Sequence, residues 1–443
     1  MTDRAPIGRS CSSAATRVRL TLAIESAIEC PIVLRAKSSI AEWAHRCDQA
    51  VLARLGCPFD PFAGRFRAPG ERTLRDVFAR VDPGALAAAG FARLTSLTPS
   101  VVGPLGPEGI PEREQRRAHR TFARSPDQRR RRRAFAVDGA CPRGAVRADG
   151  SRVFVLTAVR HDDALTTALR EIGAKTNEIP EFAPLLDTID DQDLNDAVVT
   201  VDALHAQRAH ATYLVEQRKV HYLLSVKSNQ PKLAGQLSRL PWKRAPVMDR
   251  SRDRGHGREE IRELQVVTVD GLLFPHARQV MRIRRKRRRA GTRKWSTETV
   301  YAVTDLEAHE ASPAEPAAWS RGHRIIENKI HWVKDVTFAE DASQVRRHCT
   351  PAVMSSLRDL ARATPHRAGW ADIANGRRAH TRPEDVLTLH GNPRSKADVP
   401  DSPRGLGLRS RGRSPCFSGA RGTAREAPPD PHPTANRQRR RGT

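Results

Sequence analysis

Aromatic residues are scarce in this chain, since only 5% of its 443 residues are Phe, Trp or Tyr. Hydrophobic residues reach only 38%, and 31 prolines are present, a composition typical of a protein with long loop or disordered stretches. No run of about eighteen apolar residues occurs that could span a bilayer. The first apolar stretch, LTLAIESAIECPIVL, contains glutamates and lacks the small-residue cleavage site of a signal peptide. We therefore expect no membrane span and no signal peptide.

Cysteine pairs and nucleotide-binding loops are also missing. The seven cysteines are scattered and never form C-x-x-C, which argues against a disulfide framework and a zinc knuckle. A reducing cytoplasm fits this cysteine usage. The chain has neither G-x-x-x-x-G-K-[ST] nor H-E-x-x-H, so an ATP-driven mechanism and a zinc hydrolase both lack their usual motif.

Positive charge, in contrast, is abundant. Lys and Arg number 77 against 50 Asp and Glu, which gives a net charge of +27. Such a charge favours a polyanionic partner, and nucleic acid is the most common one. Two basic segments, Arg129 to Arg133 and Arg284 to Arg289, could hold DNA through its backbone phosphates, although charge runs are often only solvated.

Periodicity and composition predict a mixed α/β protein. From residue 134, two or three strands follow one another and are then succeeded by helix, strand, helix and strand, the pattern of a mixed sheet with helices packed on it. We predict seven segments: residues 1–36 unassigned and poorly ordered, 37–94 a small helical domain, 95–133 a basic linker, 134–230 the first part of the core, 231–312 a β-rich insertion, 313–365 the remainder of the core with two helices, and 366–443 a mostly disordered tail.

Two of the predicted strands end in an aspartate. AFAVDG places Asp138 after one apolar strand, and DAVVTVDALHAQ places Asp202 after another. Asp202 could simply cap the helix that follows. However, two neighbouring strand-end carboxylates would repel each other unless a cation lay between them, and magnesium prefers such oxygen ligands.

A third candidate acid is Glu327, on a helix predicted to begin near Trp319. Helical spacing groups it with His323, His331 and Lys334, while Ile325, Ile326, Trp332, Val333 and Val336 gather on the opposite side. Taken alone, this is the pattern of an ordinary surface helix. Three carboxylates could together hold two divalent ions for phosphodiester chemistry, with Asp138 bridging the ions and Asp202 and Glu327 each holding one side.

Collinear sequence blocks give these acids a context. AVDG, AKTNEIPEFAPLLD, VVTVDALHAQRAHA, HYLLSVKSNQPKL, DRGHGREEIRE, YAVTDL and RGHRIIENKIHWVKDVTFAED resemble, in that order, insertion-sequence transposases of the DDE class, specifically the H-repeat-associated group. They cover about residues 134–365, and SSIAEWA and PGERTLRDVFARVD extend a weaker match to about residue 37. The resemblance implies an RNase H-like mixed sheet with flanking helices, interrupted by the β-rich insertion before the glutamate helix.

The resemblance also implies functional residues. Asp138, Asp202 and Glu327 correspond to the catalytic and metal-binding triad, which in this class uses two Mg²⁺ or Mn²⁺ ions. Roles near DNA are implied for Lys175, Asn177, Lys227, Asn229, Gln230, His256, Arg258, Arg321, His323 and Lys334. Two positions depart from the family pattern: Ala140 replaces a lysine two residues after Asp138, and Arg324 replaces a tryptophan three residues before Glu327.

We therefore expect a DNA transposase that cuts and joins DNA at the ends of an insertion sequence. Its expected partners are the terminal repeats and the target DNA, and we expect a homodimer or higher oligomer in the DNA complex. The expected location is the cytoplasm, associated with the nucleoid. The alternative is a catalytically inactive, DNA-binding remnant of such an enzyme.

Overall fold

The computed structural model describes residues 37–98, 132–173, 178–227, 229–255, 257–370, 372–380 and 382–389. The predicted segment 1–36 and most of the basic linker lie outside the described residues, as does the predicted tail beyond residue 389. No described helix is long and apolar enough to cross a membrane.

The N-terminal part of the described chain is helical. Its elements are α1 (Lys37–Arg46), α2 (Gln49–Arg54), the short hairpin β1 (Phe59–Asp60) and β2 (Arg65–Phe66), α3 (Glu71–Phe78) and α4 (Pro83–Leu97). Asp48 caps α2 by accepting a hydrogen bond from the Val51 amide, and Asp82 caps α4 in the same way, with Pro83 in the first helical position. Buried Leu74, Phe78 and Phe91 pack this part against the core.

A nine-stranded sheet forms the core. Its strands are β3 (Ala134–Ala140), β4 (Phe154–Arg160), β5 (Thr166–Ile172), β6 (Val198–Val201), β7 (His221–Val226), β8 (Asp249–Gly255), β9 (Arg258–Thr268), β10 (Gln279–Arg289) and β11 (Ser296–Thr304). The order across the sheet is β5-β4-β3-β6-β7-β11-β10-β9-β8, in which β6 runs parallel to β3 and β7 and the other pairs are antiparallel. This mixed α/β architecture is consistent with an RNase H-like fold.

The segment predicted as a β-rich insertion continues this same sheet. Its last strand, β11, pairs with β7, and β10, β9 and β8 follow as an antiparallel meander. The first of these strands, β8, is not evident from the sequence because DRSRDRG has no alternating apolar residues.

Helices cover the faces of the sheet. They are α5 (Glu178–Leu186), α6 (Asp191–Leu194), α7 (Arg208–Thr212) with a π-helical extension (Tyr213–Gln217), α8 (Pro231–Ser238), α9 (Ala314–Gly322), two π-helical turns (Ile326–His331 and Val333–Thr337), a 3-10 turn (Glu340–Ala342), α10 (Thr350–Arg367), α11 (Ile373–Ala379) and α12 (Pro383–Leu389). Helices α11 and α12 fall inside the predicted tail, and Ile373 and Leu387 are buried. The folded chain therefore extends beyond residue 366.

Strand alternation decides which helix covers which face. In β3, Phe135 and Val137 pack against α5 residues such as Phe182, whereas Ala136 points to the other face and packs against Ile326 and Ile330 of the first π-helical turn. Asp138 has the same parity as Ala136. The glutamate helix therefore covers the face of the sheet on which Asp138 lies.

A buried charge network fastens the glutamate helix to α10. Lys334 donates hydrogen bonds to Asp359 Oδ2 at 2.9 Å and Ser355 Oγ at 2.8 Å, and it forms an ion pair with Glu340 at 3.4 Å. Although burial opposes protonation, the charges of Asp359 and Glu340 raise the pKa of Lys334. The prediction that Lys334 contacts DNA is therefore wrong, because its charge is buried and neutralised within the protein.

The Asp359→Ala variant should be strongly destabilised, because it leaves Lys334 and Arg362 without the carboxylate that both contact. Breaking a buried pair from one side costs about 3–5 kcal/mol. Urea unfolding would measure this loss of free energy. Asp76→Ala, which removes an exposed ion pair with Arg347 at 3.1 Å, is the matched control and should cost no more than about 1 kcal/mol. Equal losses in the two variants would contradict the network's structural role.

Candidate active site

The parallel pairing of β3 and β6 places the two aspartates side by side. Ala134 is opposite Val198 and Val137 is opposite Val201, so the same register brings Asp138 level with Asp202 at the carboxyl ends of the strands. Asp202 accepts a hydrogen bond from the Leu204 amide at 2.9 Å, and helix α7 begins only at Arg208. Asp202 therefore closes a turn and does not cap the helix.

Glu327 comes from the helix above this edge of the sheet. Ile326 and Ile330 anchor its π-helical turn on the sheet, while Glu327 itself is exposed. Asp138, Asp202 and Glu327 line one cavity of about 250 Å³. Within the described residues, no three His, Cys, Asp or Glu side chains are already placed to hold a metal ion together. The three acids thus share a cavity without forming a closed metal cage.

The three carboxylates converge without forming ion pairs within the described structure. None of the three carboxylates has an ion-pair partner among the residues that the structure describes. Burial, and then the charges of Asp202, Glu178 and Glu327, raise the pKa of Asp138 to about 7, although the Gly139 amide opposes this shift. A hard divalent cation would relieve that repulsion, so the chemistry of these donors fits a metal of the magnesium type.

The structure adds a fourth acid, Glu178, that the sequence reasoning missed. It is the first residue of α5, and its carboxylate lies so close to Gly139 that a Cβ atom at this glycine would overlap it. Buried His205 contacts Glu178 with Nε2 at 3.3 Å from Oε2. The only sequence signal is the position of Glu178 directly after Asn177 in the KTNE block.

Two histidines meet at Thr200, on the same face of β6 as Asp202. The Thr200 hydroxyl lies 3.0 Å from His161 Nε2 and 3.1 Å from His323 Nδ1, and it donates a hydrogen bond to the Phe135 carbonyl oxygen at 3.1 Å. With its one proton donated, the hydroxyl accepts from both rings. Burial and the neighbouring His323 lower the pKa of His161 to about 3, and burial also lowers the pKa of His323.

The predicted polar stripe around Glu327 is wrong. His331 is partly buried and Lys334 is fully buried, whereas Trp332 and Val336, predicted to face the core, are 58% and 57% exposed. Periodicity at 3.6 residues per turn does not apply because the helix winds as two π-helical turns with i→i+5 hydrogen bonds.

The residues with predicted DNA roles separate into groups. Lys227, Arg321 and His323 line the cavity, and Arg321 forms an ion pair with Asp249 at 3.3 Å. Asn229 instead donates a hydrogen bond to the Ala203 carbonyl oxygen, which fastens the loop after β7 to the loop after Asp202. The remaining positions do not line the cavity or are not described: Gln230 precedes α8, Arg258 is exposed where β9 begins, and Lys175, Asn177 and His256 lie outside the described residues.

Comparisons with known proteins find a transposase domain that overlaps the segment carrying this site. Residues 153–348 match the family model described as "Transposase DDE domain", a range that contains Asp202 and Glu327 and begins after Asp138. The chain is 28% identical over 248 residues to "Putative transposase YncI" of Escherichia coli O157:H7, covering 51% of this chain and 60% of that protein. It is 26% identical over 250 residues to "H repeat-associated putative transposase YhhI" of Escherichia coli K12, covering 51% and 62%. The matches therefore span less than two thirds of these relatives.

The raised pKa of Asp138 predicts a pH-dependent stability in EDTA. A folded-state pKa of about 7 lies above the ordinary 3.8, so the folded state holds a proton that the unfolded state has lost. The contribution of Asp138 to the free energy of unfolding is fully present below about pH 4, and it is lost as the pH rises through about 7. Relative to the parent, Asp138→Asn should therefore become more stable over this range, by a difference on the order of 4 kcal/mol.

Urea unfolding at several pH values would measure this difference, and Asp253→Asn, at an exposed carboxylate of β8, serves as the control. A difference between Asp138→Asn and the parent that stays constant from pH 4 to pH 8 would exclude the predicted proton uptake.

Proposed function

Because the chain belongs to the DDE transposase family, we propose that it is the DNA transposase of an insertion sequence, which cuts and joins DNA at the element ends. The proposed reaction is phosphoryl transfer at Asp138, Asp202 and Glu327. The observation that carries the proposal is the convergence of these far-separated acids on one cavity. The family match covers residues 153–348, and the proposal assigns the transposase activity to the whole protein.

The proposed cofactors are two Mg²⁺ or Mn²⁺ ions, held by Asp138, Asp202 and Glu327. Such ions would activate the attacking oxygen and stabilise the leaving oxygen of an in-line displacement. The carboxylates supply the oxygen ligands that these ions prefer, and their mutual repulsion is the feature that supports this assignment.

The protein's own residues have distinct proposed tasks. Without a cation, Asp138 is partly protonated near neutral pH because its pKa is raised to about 7, so loading the site would release protons. Glu178, backed by His205, adds negative charge beside Asp138. Lys227 and Arg321 line the cavity and would contact phosphate oxygens, which positions the strand without reading its sequence.

We further propose an RNase H-like catalytic core, in which β3, β4, β5, β6 and β7 form the central sheet and β8 to β11 extend it. The proposed partners are the terminal repeats and target DNA. Joining requires that two element ends be held near one target, which favours a homodimer or a higher oligomer in the DNA complex. We propose that the protein acts in the cytoplasm at the nucleoid.

The activity test uses supercoiled DNA that carries the DNA flanking the gene, with Mg²⁺ or Mn²⁺. The parent should release fragments with 3′-hydroxyl ends, and Asp202→Asn and Glu327→Gln should each be slower by roughly a thousandfold or more, because a lost metal ligand removes several kcal/mol of transition-state stabilisation. Asp253→Asn removes an exposed carboxylate away from the cavity and should cleave like the parent.

Equal cleavage by the parent and Asp202→Asn would contradict the proposal that Asp202 is catalytic. If the parent binds DNA but never cleaves it with either ion, the inactive DNA-binding remnant becomes the better description. The substitutions to examine first would then be Ala140 and Arg324, which differ from the family pattern and lie close to the acids in sequence.

Metal binding can be tested without any DNA. Saturating Mn²⁺, at roughly a hundred times its dissociation constant, should stabilise the parent by about 2.7 kcal/mol. Asp202→Asn should lose most of this gain, whereas Asp253→Asn should keep it. Thermal unfolding with and without Mn²⁺ measures the effect, and an equal gain in all three proteins would place the ion elsewhere.

A further inference from the structure

A cluster of arginines forms the wall of the cavity beyond the carboxylates. Arg262 lies on β9, Arg285 on β10, and Arg324 three residues before Glu327. On β10, Arg285 has the same parity as Met281 and Ile283, which pack with Trp319 on the face covered by the glutamate helix. Of the basic run from residue 284 to 289, Arg285 is therefore the residue that lines the cavity.

Arg285 is poorly satisfied for a buried arginine. Only 9% of its surface is exposed, yet its Nε and Nη2 atoms have no hydrogen-bond partner among the described residues. Its ion pairs are long, at 3.5 Å to Glu260 and 3.6 Å to Glu298. An unsatisfied buried donor is costly, and a charged one more so, so this arrangement needs a functional explanation.

The charge around Arg285 does not balance. Glu260 is shared by Arg262, Arg285 and Arg287, and Glu298 is shared by Arg285 and Arg287. The Arg324 side chain has no hydrogen bond or ion pair in the described part of the chain. It lies near charges of both signs, positive at Arg262 and Arg287 and negative at Glu260 and Glu327. Burial, followed by the charges of Arg324, Arg287 and Arg262, lowers the pKa of Arg285 to about 10.

We propose that Arg262, Arg285 and Arg324 form a phosphate subsite, which binds one backbone phosphate of the DNA strand that enters the carboxylate cavity. A phosphate group would satisfy the free donors of Arg285 and add negative charge to a cluster whose own glutamates are each shared by more than one arginine. Guanidinium groups suit this task because their planar fork can bind two phosphate oxygens at once. The inference rests on the proposed function, because it takes DNA as the substrate.

The subsite would position the DNA strand and would not recognise its base sequence. A phosphate contact fixes the register of a strand but reads no base. Because Arg324 lies one turn before Glu327 and its carbonyl oxygen accepts a hydrogen bond from the Asn328 amide at 3.0 Å, a phosphate bound by Arg324 would hold the strand at a fixed distance from Glu327. We therefore expect the subsite to orient the scissile bond relative to the acids.

The binding test measures fluorescence anisotropy of a labelled single strand and of its duplex, both taken from the DNA flanking the gene, at several salt concentrations in EDTA. Arg285→Gln and Arg324→Gln should each weaken binding about tenfold, since they remove a charge-assisted contact. The slope of log affinity against log salt should fall by about 0.7 for the single strand and about 0.9 for the duplex. Arg278→Gln, at an exposed arginine paired with Glu307, is the matched control.

A second measurement requires no DNA and so separates this inference from the proposed function. Inorganic phosphate, compared with chloride at equal ionic strength, should raise the melting temperature of the parent and of Arg278→Gln. The rise should be lost in Arg285→Gln and Arg324→Gln. If Arg285→Gln fails to fold, Arg324→Gln still provides the test, because its side chain has no bond to lose in the described structure.

Each outcome is decisive. Wild-type affinity and salt slope in both arginine variants would overturn the inference, even if the parent cleaves DNA normally. A phosphate-dependent rise in melting temperature without any change in DNA affinity would overturn the assignment to a DNA phosphate. Weakened DNA binding in both variants of a protein that never cleaves DNA would support the subsite and count against the proposed function alone.

Discussion

The parallel pairing of β3 with β6 is the constraint on which the site depends. Its register sets Asp138 level with Asp202, and burial together with this repulsion raises the pKa of Asp138 to about 7. A slip of one residue would turn one of these side chains to the opposite face of the sheet. The apolar alternation of Phe135 and Val137 against α5 fixes the register, so the packing of one face determines the electrostatics of the other.

The glutamate helix is held by a second, different kind of interaction. Its apolar residues Ile326 and Ile330 pack on the sheet, and buried Lys334 is bonded to Asp359 of α10. A buried ion pair is weak evidence of net stability, but it is specific, because a shifted helix would leave both charges unpaired. The π-helical winding lets Glu327 line the cavity while Lys334 reaches into the core.

Ion pairs between the long strands hold part of their positive charge. Lys286 pairs with Glu263, Arg287 with Glu260 and Arg288 with Glu259, but these three glutamates of β9 are also shared with other arginines. Arg285 and Arg324 bring two positive charges to the cavity. Net charge predicts a polyanionic partner, but the pairing across the strands decides where that partner can be bound.

The sequence by itself predicted the succession of strands and helices from residue 134 to residue 227, apart from β5, and the two strand-end aspartates, because both follow from local hydrophobic patterns and turn residues. Its resemblance to a family singled out Glu327. Only the tertiary structure decided that Glu178 joins these acids, that Lys334 is buried and that Trp332 is exposed, because these depend on π-helical winding and contacts between distant residues. Strand β8 was not predicted from the sequence for a related reason: its charged residues are held in place by pairing with β9 and not by an apolar face.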